Sequence, residues 1–455
     1  MICVSLGSRN SAQALAGMEE ARRAGADLVE IRGDFLDDPG ELPEIAARKS
    51  LPVVVTVRPA WEGGRWAGTE EGRVRLLESA CAAGADWVDV EFEAYKDFAR
   101  GGTRLLLSYH DFSGVPADLE RIAAKMRAME PDLVKIAVTA RGAADLARCV
   151  RLQKSMGVPS AVVAMGEAGE ALRILYRRFG GSLTYASLCA GAETAPGQVP
   201  VSDLGGVDGS TEAYAVVGRP VAHSRSPALF NAAFRALGMN ARYVKIPLED
   251  AALLPELVSA LELRGVSVTI PHKEKAAELL GFGEPGAVNT VVVRDGVLEG
   301  HNTDAPAAAE AVGPVAGKRV LVLGSGGAAR AVAWGLAGAG ARMAVSSRRG
   351  ESLGREAVAW ERRGDAGAEV VVNATSVGMN SDESPFPPEA WRPGMRAFDV
   401  VYTPRDTRFL REARAAGAET VDGVELFVRQ AAMQFRLFTG REMPREVVEG
   451  FRRGL

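Results

Sequence analysis

Residues 130–140 read EPDLVKIAVTA. Inside this stretch, Leu-Val-Lys-Ile-Ala-Val is a near-continuous apolar run, the pattern of a strand buried on both faces of a parallel sheet. Lys135 stands in its middle. A lysine so placed must leave the core, pair with a carboxylate, or be kept for its chemistry.

Seven further runs flank this one: ICVSL, DLVEIR, PVVVTVR, DWVDVEF, RLLLSYH, SAVVAMG and LTYASL. Stretches rich in Ala, Arg and Glu separate them, such as SAQALAGMEEARRAG and GRVRLLESACAAG, each closed by a glycine in a C-cap position. Eight strand–helix units within about 200 residues predict a (β/α)8 barrel over residues 1–203. Residues 204–212 lie in a Gly-, Pro- and Ser-rich stretch without periodicity and are read as a linker.

A chain of 455 residues exceeds what one core organises, so further domains are expected. A net charge of −4 with both signs interspersed offers no basic stripe for nucleic acid, so small-molecule partners are expected. Cys3, Cys81, Cys149 and Cys189 are far apart, in apolar settings and without a CxxC pair. They read as buried reduced thiols and point to a cytoplasmic protein without a metal site. No apolar run approaches a membrane span, and MICVSLGSR reads as a strand rather than a signal peptide.

A barrel places its chemistry at the C-terminal ends of the strands. Polar residues out of place in the apolar runs obey that rule: Glu30 and Arg32, Arg58, Glu91 and Glu93, His110 and Asp111, with Arg173 and Gln198 in later loops. A set of ion pairs plugging the barrel is the bland reading. The chemical reading takes Lys135 as an amine kept neutral by apolar neighbours and nearby guanidinium groups, able to form an imine with a ketone. An imine acidifies the adjacent C–H. With His110 as acid/base, either elimination of water or aldol cleavage follows.

Residues 1 to 200 resemble type I 3-dehydroquinate dehydratase through VEIRGD, TVRPAWEGG, SYHDF, VKIAV, LRILYRRFGG and APGQ. The resemblance implies a cyclohexane carboxylate whose ketone condenses with Lys135, His110 as proton shuttle and Glu62 orienting it. It further implies Arg173 on the substrate carboxylate and Ser5, Glu30, Arg32, Arg58, Thr194 and Gln198 lining the pocket.

The second half has its own punctuation. KRVLVLGSGGAARAVAWGLAGAG reads as strand, glycine-rich turn and helix, with Gly324, Ser325, Gly326, Gly327 and Ala328 at a dinucleotide pyrophosphate. The next strand ends in Ser347, Arg348 and Arg349 where an NAD site wants an acidic residue. Two guanidinium groups there favour a 2′-phosphate, hence NADP(H). Ahead of this fold, VAHSRSP, VTIPHKEKA, AVNTV and GHNTD are polar clusters that no core would want. Ser224 and Ser226 could bind a carboxylate, while Lys273 and Asp304 could deliver a proton to a carbonyl oxygen.

These clusters resemble shikimate dehydrogenase over almost all of residues 213 to 455. The resemblance implies a substrate domain at 213–305, completed by helices at 424–455, and a Rossmann NADP-binding domain at 306–423. It implies Ser224 and Ser226 on the substrate carboxylate and Thr269, Asn289, Tyr402 and Gln430 on its ring hydroxyls. Lys273 and Asp304 match the catalytic pair, and Thr375, Ser376, Val400 and Gly423 lie in motifs along the cofactor. The ketone expected from the barrel, 3-dehydroshikimate, is the one the second half would reduce. A bifunctional enzyme of the shikimate pathway is therefore expected, with two alternatives open. One is an aldolase-like barrel fused to a quinate/shikimate dehydrogenase; the other replaces the reductase by a nucleotide sensor without turnover.

Overall fold

The computed structural model describes residues 1–195 and 197–454, so Pro196 of the APGQ motif lies outside the described residues. The chain separates into two compact units. One comprises Met1–Ala213 with Asn240–Glu249 and Glu256–Glu262; the other comprises Tyr214–Met239, Asp250–Pro255 and Leu263–Leu455.

In the first unit, strands β1 (Ile2–Leu6), β2 (Leu28–Arg32), β3 (Val53–Thr56), β4 (Trp87–Glu91), β5 (Arg104–Asp111), β6 (Leu133–Thr139), β7 (Ser160–Met165) and β8 (Thr184–Ser187) are the eight apolar runs. They form a curled parallel sheet in the order β7-β6-β5-β4-β3-β2-β1-β8, to which β9 (Val199–Pro200) adds beyond β8. The seam between β7 and β8 is tied at its base, where the Ser182 N–H donates to the Ser160 carbonyl (2.8 Å). Helices α1 (Ser11–Arg23), α2 (Leu42–Ala47), α3 (Glu70–Ala82), α4 (Leu119–Arg127), α5 (Ala143–Ser155) and α6 (Glu170–Ile174) connect the strands. Asn10 and Thr69 cap α1 and α3 by accepting from Gln13 N (3.0 Å) and Gly72 N (3.1 Å). Gly25 (φ +93°) and Gly84 (φ +98°) follow their C-termini in the left-handed conformation, as the sequence predicts.

The fold corrects the expectation of a helix after every strand. Among the described residues, no helix lies between β4 and β5 or between β8 and β9. The connecting segments, FEAYKDFARGGT and LCAGAETAPGQ, carry glycine or proline and no helical apolar stripe.

The second unit holds two sheets. In the first, β10 (Glu212–Gly218), β12 (Leu263–Val268), β13 (Thr290–Arg294) and β14 (Val297–His301) are neighbours in that order, β13 and β14 closing an antiparallel hairpin. Strand β11 (Ala241–Pro247) and most of helix α8 (Leu254–Leu261) cluster with the first unit. Helices α7 (Ser226–Ala236), α9 (Lys273–Leu279) and α10 (Asp304–Val312) accompany the first sheet. The other sheet is parallel, in the order β17 (Glu356–Ala357), β16 (Arg342–Ser346), β15 (Arg319–Leu323), β18 (Val370–Asn373), β19 (Arg396–Asp399), β20 (Glu419–Val421). Its order reverses between β15 and β18, and ligands of open α/β sheets bind at that point. Helix α11 (Gly327–Gly338) follows β15, and α12 (Arg408–Ala415), α13 (Gly423–Thr439) and α14 (Arg445–Gly454) complete the chain. Among the described residues no helix is long and apolar enough to cross a membrane.

Candidate active sites

Strand alternation builds the barrel site layer by layer. Cys3, Leu28, Val54, Trp87, Leu106, Leu133, Ala161 and Tyr185, one from each of β1 to β8, belong to a single buried apolar cluster. Side chains two residues further along point to the same interior. They are Ser5, Glu30, Thr56, Asp89, Ser108, Lys135, Val163 and Ser187, all buried. An apolar floor thus carries an almost wholly polar second layer, and Lys135 belongs to it. Arg32, Arg58, Glu91 and His110 come two residues higher, towards the mouth.

Lys135 Nζ lies 3.1 Å from Asp89 Oδ2 and 3.5 Å from Glu30 Oε1, with the Tyr185 ring centroid at 4.1 Å. The expectation of an amine sheltered by guanidinium groups is therefore corrected: its nearest charges are two carboxylates, and an ion pair is what makes its burial tolerable. Those carboxylates are themselves saturated. Glu30 accepts from the Ser5 hydroxyl and from Thr56 Oγ1 (2.9 Å), and Asp89 accepts from Ser108 Oγ (2.6 Å) and Arg58 Nη2 (2.8 Å). Burial alone would raise both acids. For Glu30 the charges of Lys135, Arg32 and Arg58 outweigh it, and for Asp89 those of Arg58 and Lys135 do, so both sit below the usual carboxylate range.

Arg58 is the hub. Its Nη1 reaches Glu91 (2.9 Å), Ser108 (2.8 Å) and Glu62 (3.2 Å). Glu91 is held from behind by the fully buried Arg73 (2.5 Å), which also clasps Glu70. Glu62 Oε2 lies 2.9 Å from His110 Nδ1. Burial pushes the Glu62 carboxyl up to about 8, against the pull of Arg58, and burial with the charges of Arg58 and Lys135 holds the His110 imidazole well below its ordinary value. The interior thus sets four carboxylates (Glu30, Glu62, Asp89, Glu91) against the cations Arg58, Arg73 and Lys135.

Other expected residues stand at the rim. Arg32 is clamped by Asp34 through two hydrogen bonds (2.8 and 2.7 Å). Arg173, on α6, donates to the Gly166 carbonyl (2.8 Å), and burial lowers its guanidinium to about 10. Thr194 and Gln198 bond to one another, Thr194 N to Gln198 Oε1 (2.9 Å). Their loop passes so close to Arg173 that a Cβ at Gly197 (φ +74°) would lie 2.8 Å from its Nη2, so only glycine fits. Asp89, Thr56, Ser108 and Arg73 were missed by the sequence reading. The first three lie at period-two spacing from residues it did name; Arg73 has no local signal.

In the second unit Lys273 and Asp304 open α9 and α10, and Lys273 Nζ meets Asp304 Oδ2 at 2.6 Å. A carboxylate is favoured at a helix N-terminus. Asn289 is buried: its Nδ2 donates to Thr303 Oγ1 (2.9 Å), leaving a second N–H, and its Oδ1 accepts from Thr303 N and Thr290 Oγ1 (2.8 Å each). Gln434 Nε2 holds the Asn289 carbonyl (3.1 Å), a contact that sequence reasoning missed. Thr269 N donates to Val217 O (2.9 Å), and Ser226 N to Ser224 Oγ (3.4 Å). Tyr402 packs against Phe427 with 4.8 Å between centroids and the rings tilted by 33°, and Gln430 Nε2 donates to Phe427 O (2.8 Å). Burial raises the Tyr402 phenol while Arg225 opposes it, which places Tyr402 beside the Ser224–Ser226 segment.

The dinucleotide signature fits its cofactor. Gly324 has φ +113°, and a Cβ there would lie 2.9 Å from the Ala374 carbonyl. Gly326 caps α11, leaving its first N–H groups open to an anion. A Cβ at Gly327 would lie 3.0 Å from Lys273 Cβ, so the glycine turn packs directly against Lys273. Ser346 and Ser347 are buried at the end of β16, and Ser347 Oγ donates to Glu351 O (3.0 Å). Arg348 and Arg349 beyond them are exposed. These residues suit a 2′-phosphate. Among the described residues no group of acidic, His and Cys side chains could hold a metal.

A barrel with a buried lysine, joined to a dinucleotide fold with a Lys–Asp pair, defines a two-centre enzyme that couples carbonyl chemistry to a nicotinamide-dependent reductase. Residues 2–207 match the type I 3-dehydroquinase family, residues 216–291 the shikimate dehydrogenase substrate-binding domain, and residues 423–450 the shikimate 5′-dehydrogenase C-terminal domain. The chain is 35% identical to the chloroplastic bifunctional 3-dehydroquinate dehydratase/shikimate dehydrogenase of Arabidopsis thaliana, over 98% of its own length and 83% of that protein. It is 42% identical to the NADP(+) shikimate dehydrogenase of Thermococcus kodakarensis, over 51% of this chain and 93% of that one. A shikimate dehydrogenase structure from Aquifex aeolicus superposes with a TM-score of 0.51 at 32% identity, covering 54% of this chain and 99% of that one. The chain belongs to the family of bifunctional 3-dehydroquinate dehydratase/shikimate dehydrogenases.

Proposed function

We propose that the chain converts 3-dehydroquinate to shikimate in two steps: dehydration to 3-dehydroshikimate in residues 1–203, then NADPH-dependent reduction in the second half. The observation that carries the reading is the buried Lys135 amine, set in a polar layer over an apolar floor beside the His110–Glu62 pair.

In the barrel, Lys135 acts as the free amine, its proton passed through His110 to water, and its nitrogen attacks the ketone carbon. The carbinolamine loses one water to give the imine. His110 takes the acidified C–H proton, producing an enamine, and a proton returned through the His110–Glu62 pair lets the β-hydroxyl leave as water. Hydrolysis of the imine consumes one water, releases the enone and restores the amine, so one water is lost overall. Arg173 is positioned for the substrate carboxylate, and Ser5, Arg32, Thr194 and Gln198 for its hydroxyls.

In the second unit, bound NADPH supplies the hydride. The chain's part is to hold the substrate carboxylate at Ser224 and Ser226 and the ring hydroxyls at Thr269, Asn289, Tyr402 and Gln430. Lys273 places a proton on the carbonyl oxygen, and Asp304 orients Lys273. Gly324 to Ala328, Thr375, Ser376, Val400 and Gly423 would receive the cofactor, with Arg348 and Arg349 on its 2′-phosphate. Four cysteines without a disulfide support a reducing, cytoplasmic setting.

The test supplies 3-dehydroquinate and NADPH together. Shikimate should accumulate as NADPH is consumed, and borohydride with 3-dehydroquinate should leave a stable adduct at Lys135. NADPH consumption without an adduct at Lys135 would refute the imine.

A further inference from the structure

Asp399 is a fully buried carboxylate that neither reaction uses, at the end of β19. Its Oδ1 accepts from Asn373 Nδ2 (2.9 Å) and from the Val401 N–H (2.9 Å), and its Oδ2 from Thr407 Oγ1 (2.6 Å). Each donor secures a different piece of chain. Asn373 Nδ2 also donates to Val377 O (3.0 Å), and its Oδ1 accepts from Thr375 N (3.0 Å) and Thr375 Oγ1 (2.7 Å), so it sets the 373–377 loop. Val401 lies between Val400 and Tyr402, and its carbonyl is so close to Gly423 that a Cβ there would approach to 2.4 Å. Thr407 caps α12 by accepting from Leu410 N (3.4 Å). Thr375, Ser376, Val400 and Gly423, all read above as cofactor contacts, therefore lean on one carboxylate, as does Tyr402 on the substrate side.

We propose that Asp399 is a positioning residue of the reductase: it sets the two cofactor-facing loops against each other and thereby fixes the affinity for the nicotinamide cofactor. The inference rests on the reductase reading above. A carboxylate suits the place because three donors converge on it from three segments, each needing an acceptor. Burial pushes its acid up to about 6, against the three hydrogen bonds. Its immediate neighbours, Asn373, Val401 N–H and Thr407, are uncharged, and charged residues on adjoining elements pair with each other: Arg396 with Glu419, Arg408 with Glu412, Arg405 with Asp422. Protonation below that pH turns the Thr407 hydroxyl from donor to acceptor and loosens the anchor.

The test measures KM for NADPH and for 3-dehydroshikimate, with dehydration by the same full chain as reference. D399A is expected to raise the KM for NADPH at least about tenfold, and T407V and D399N about threefold each, because the amide, like the protonated acid, reverses the hydrogen bond to Thr407. The KM of the native chain should rise below pH 6, and that of D399N should not. The 2′-phosphate of NADPH titrates near pH ~6 as well, so the profile is repeated with NADH, which lacks it. If D399A does not fold, D399N and T407V carry the comparison. A native chain that consumes no NADPH refutes the reductase reading itself. A reductase whose KM for NADPH is unmoved by D399A and T407V, or whose acid limb survives D399N with NADH, overturns the role of Asp399.

Discussion

The two centres each hold a lysine against a carboxylate, yet they are built in opposite ways. In the barrel, Lys135 is 5% exposed and its partners Asp89 and Glu30 have all their acceptors occupied by Arg58, Ser108, Thr56 and Ser5. In the second unit, the Lys273 side chain is 16% exposed and paired to Asp304 at the mouths of two helices. The difference fits the roles proposed for the two lysines. A covalent catalyst needs a fixed nitrogen, a dry site and a charge balance that survives loss of a proton. A proton donor beside a bound cofactor needs only reach and orientation, because the cofactor brings the reactive bond with it.

The sharpest way to break this contrast is K135A. It should lower the rate of dehydration by at least about four orders of magnitude while leaving NADPH-dependent reduction of 3-dehydroshikimate within about twofold of the native rate. K135R should not rescue, since a guanidinium keeps its proton and forms no imine. Substantial dehydration by K135A would mean that the buried lysine is only a plug for two carboxylates. The mirror experiment is K273M or D304N, expected to lower the reductase rate about 100-fold or more with dehydration intact. The smaller loss reflects water, which can substitute for a proton donor but not for a nucleophile.

How much of this was legible beforehand differs between the two centres. The eight strands stood out as apolar runs, and Lys135 as a cation in the middle of one. Asp89 occupies the same layer and was passed over, because DWVDVEF reads equally well as an alternating strand with a solvated face. Only the register of β4 against β5, with Asp89 opposite Leu106 and Glu91 opposite Ser108, turns that face inward. Arg73 sits on α3, 18 residues before the Glu91 it holds, a relation no local pattern contains. The missing helices have a simpler cause, since Gly- and Pro-containing connections cannot sustain a helical stripe. In the second unit, the glycine turn and the Lys273 and Asp304 motifs were readable because helix starts have a local signature. Asp399 was not, because its three donors come from segments that only the folded sheet brings together.

The cofactor side gives a milder effect. Arg348 and Arg349 are exposed, so each contributes through a partly screened contact. Replacing both by alanine should raise the KM for NADPH about 10- to 100-fold and leave that for NADH nearly unchanged, with the NADPH effect shrinking as salt is added. Equal increases for both cofactors would remove the phosphate from their account and make them part of the adenine surface.

The subtlest difference between the centres is one of stability rather than rate. Glu62 is buried, and its acid is pushed up from 4.5 to about 8. Because the folded-state value lies above the unfolded one, the folded barrel binds more protons between those limits. Its contribution is therefore fully present below pH ~4.5 and lost as pH rises through about 8. E62Q removes the titration while keeping the shape. Relative to the native chain it should gain stability steadily from about pH 5 to pH 9, by a few kcal/mol at the upper end, even as it loses dehydratase activity. Hydrogen exchange compared at each pH between E62Q and the native chain, read in β3 and β5 where Arg58 and His110 anchor, localises the effect to the barrel. A difference that stays flat with pH would mean that Arg58 keeps Glu62 ionised throughout. The His110–Glu62 pair would then have to draw its proton from the substrate rather than hold one in advance.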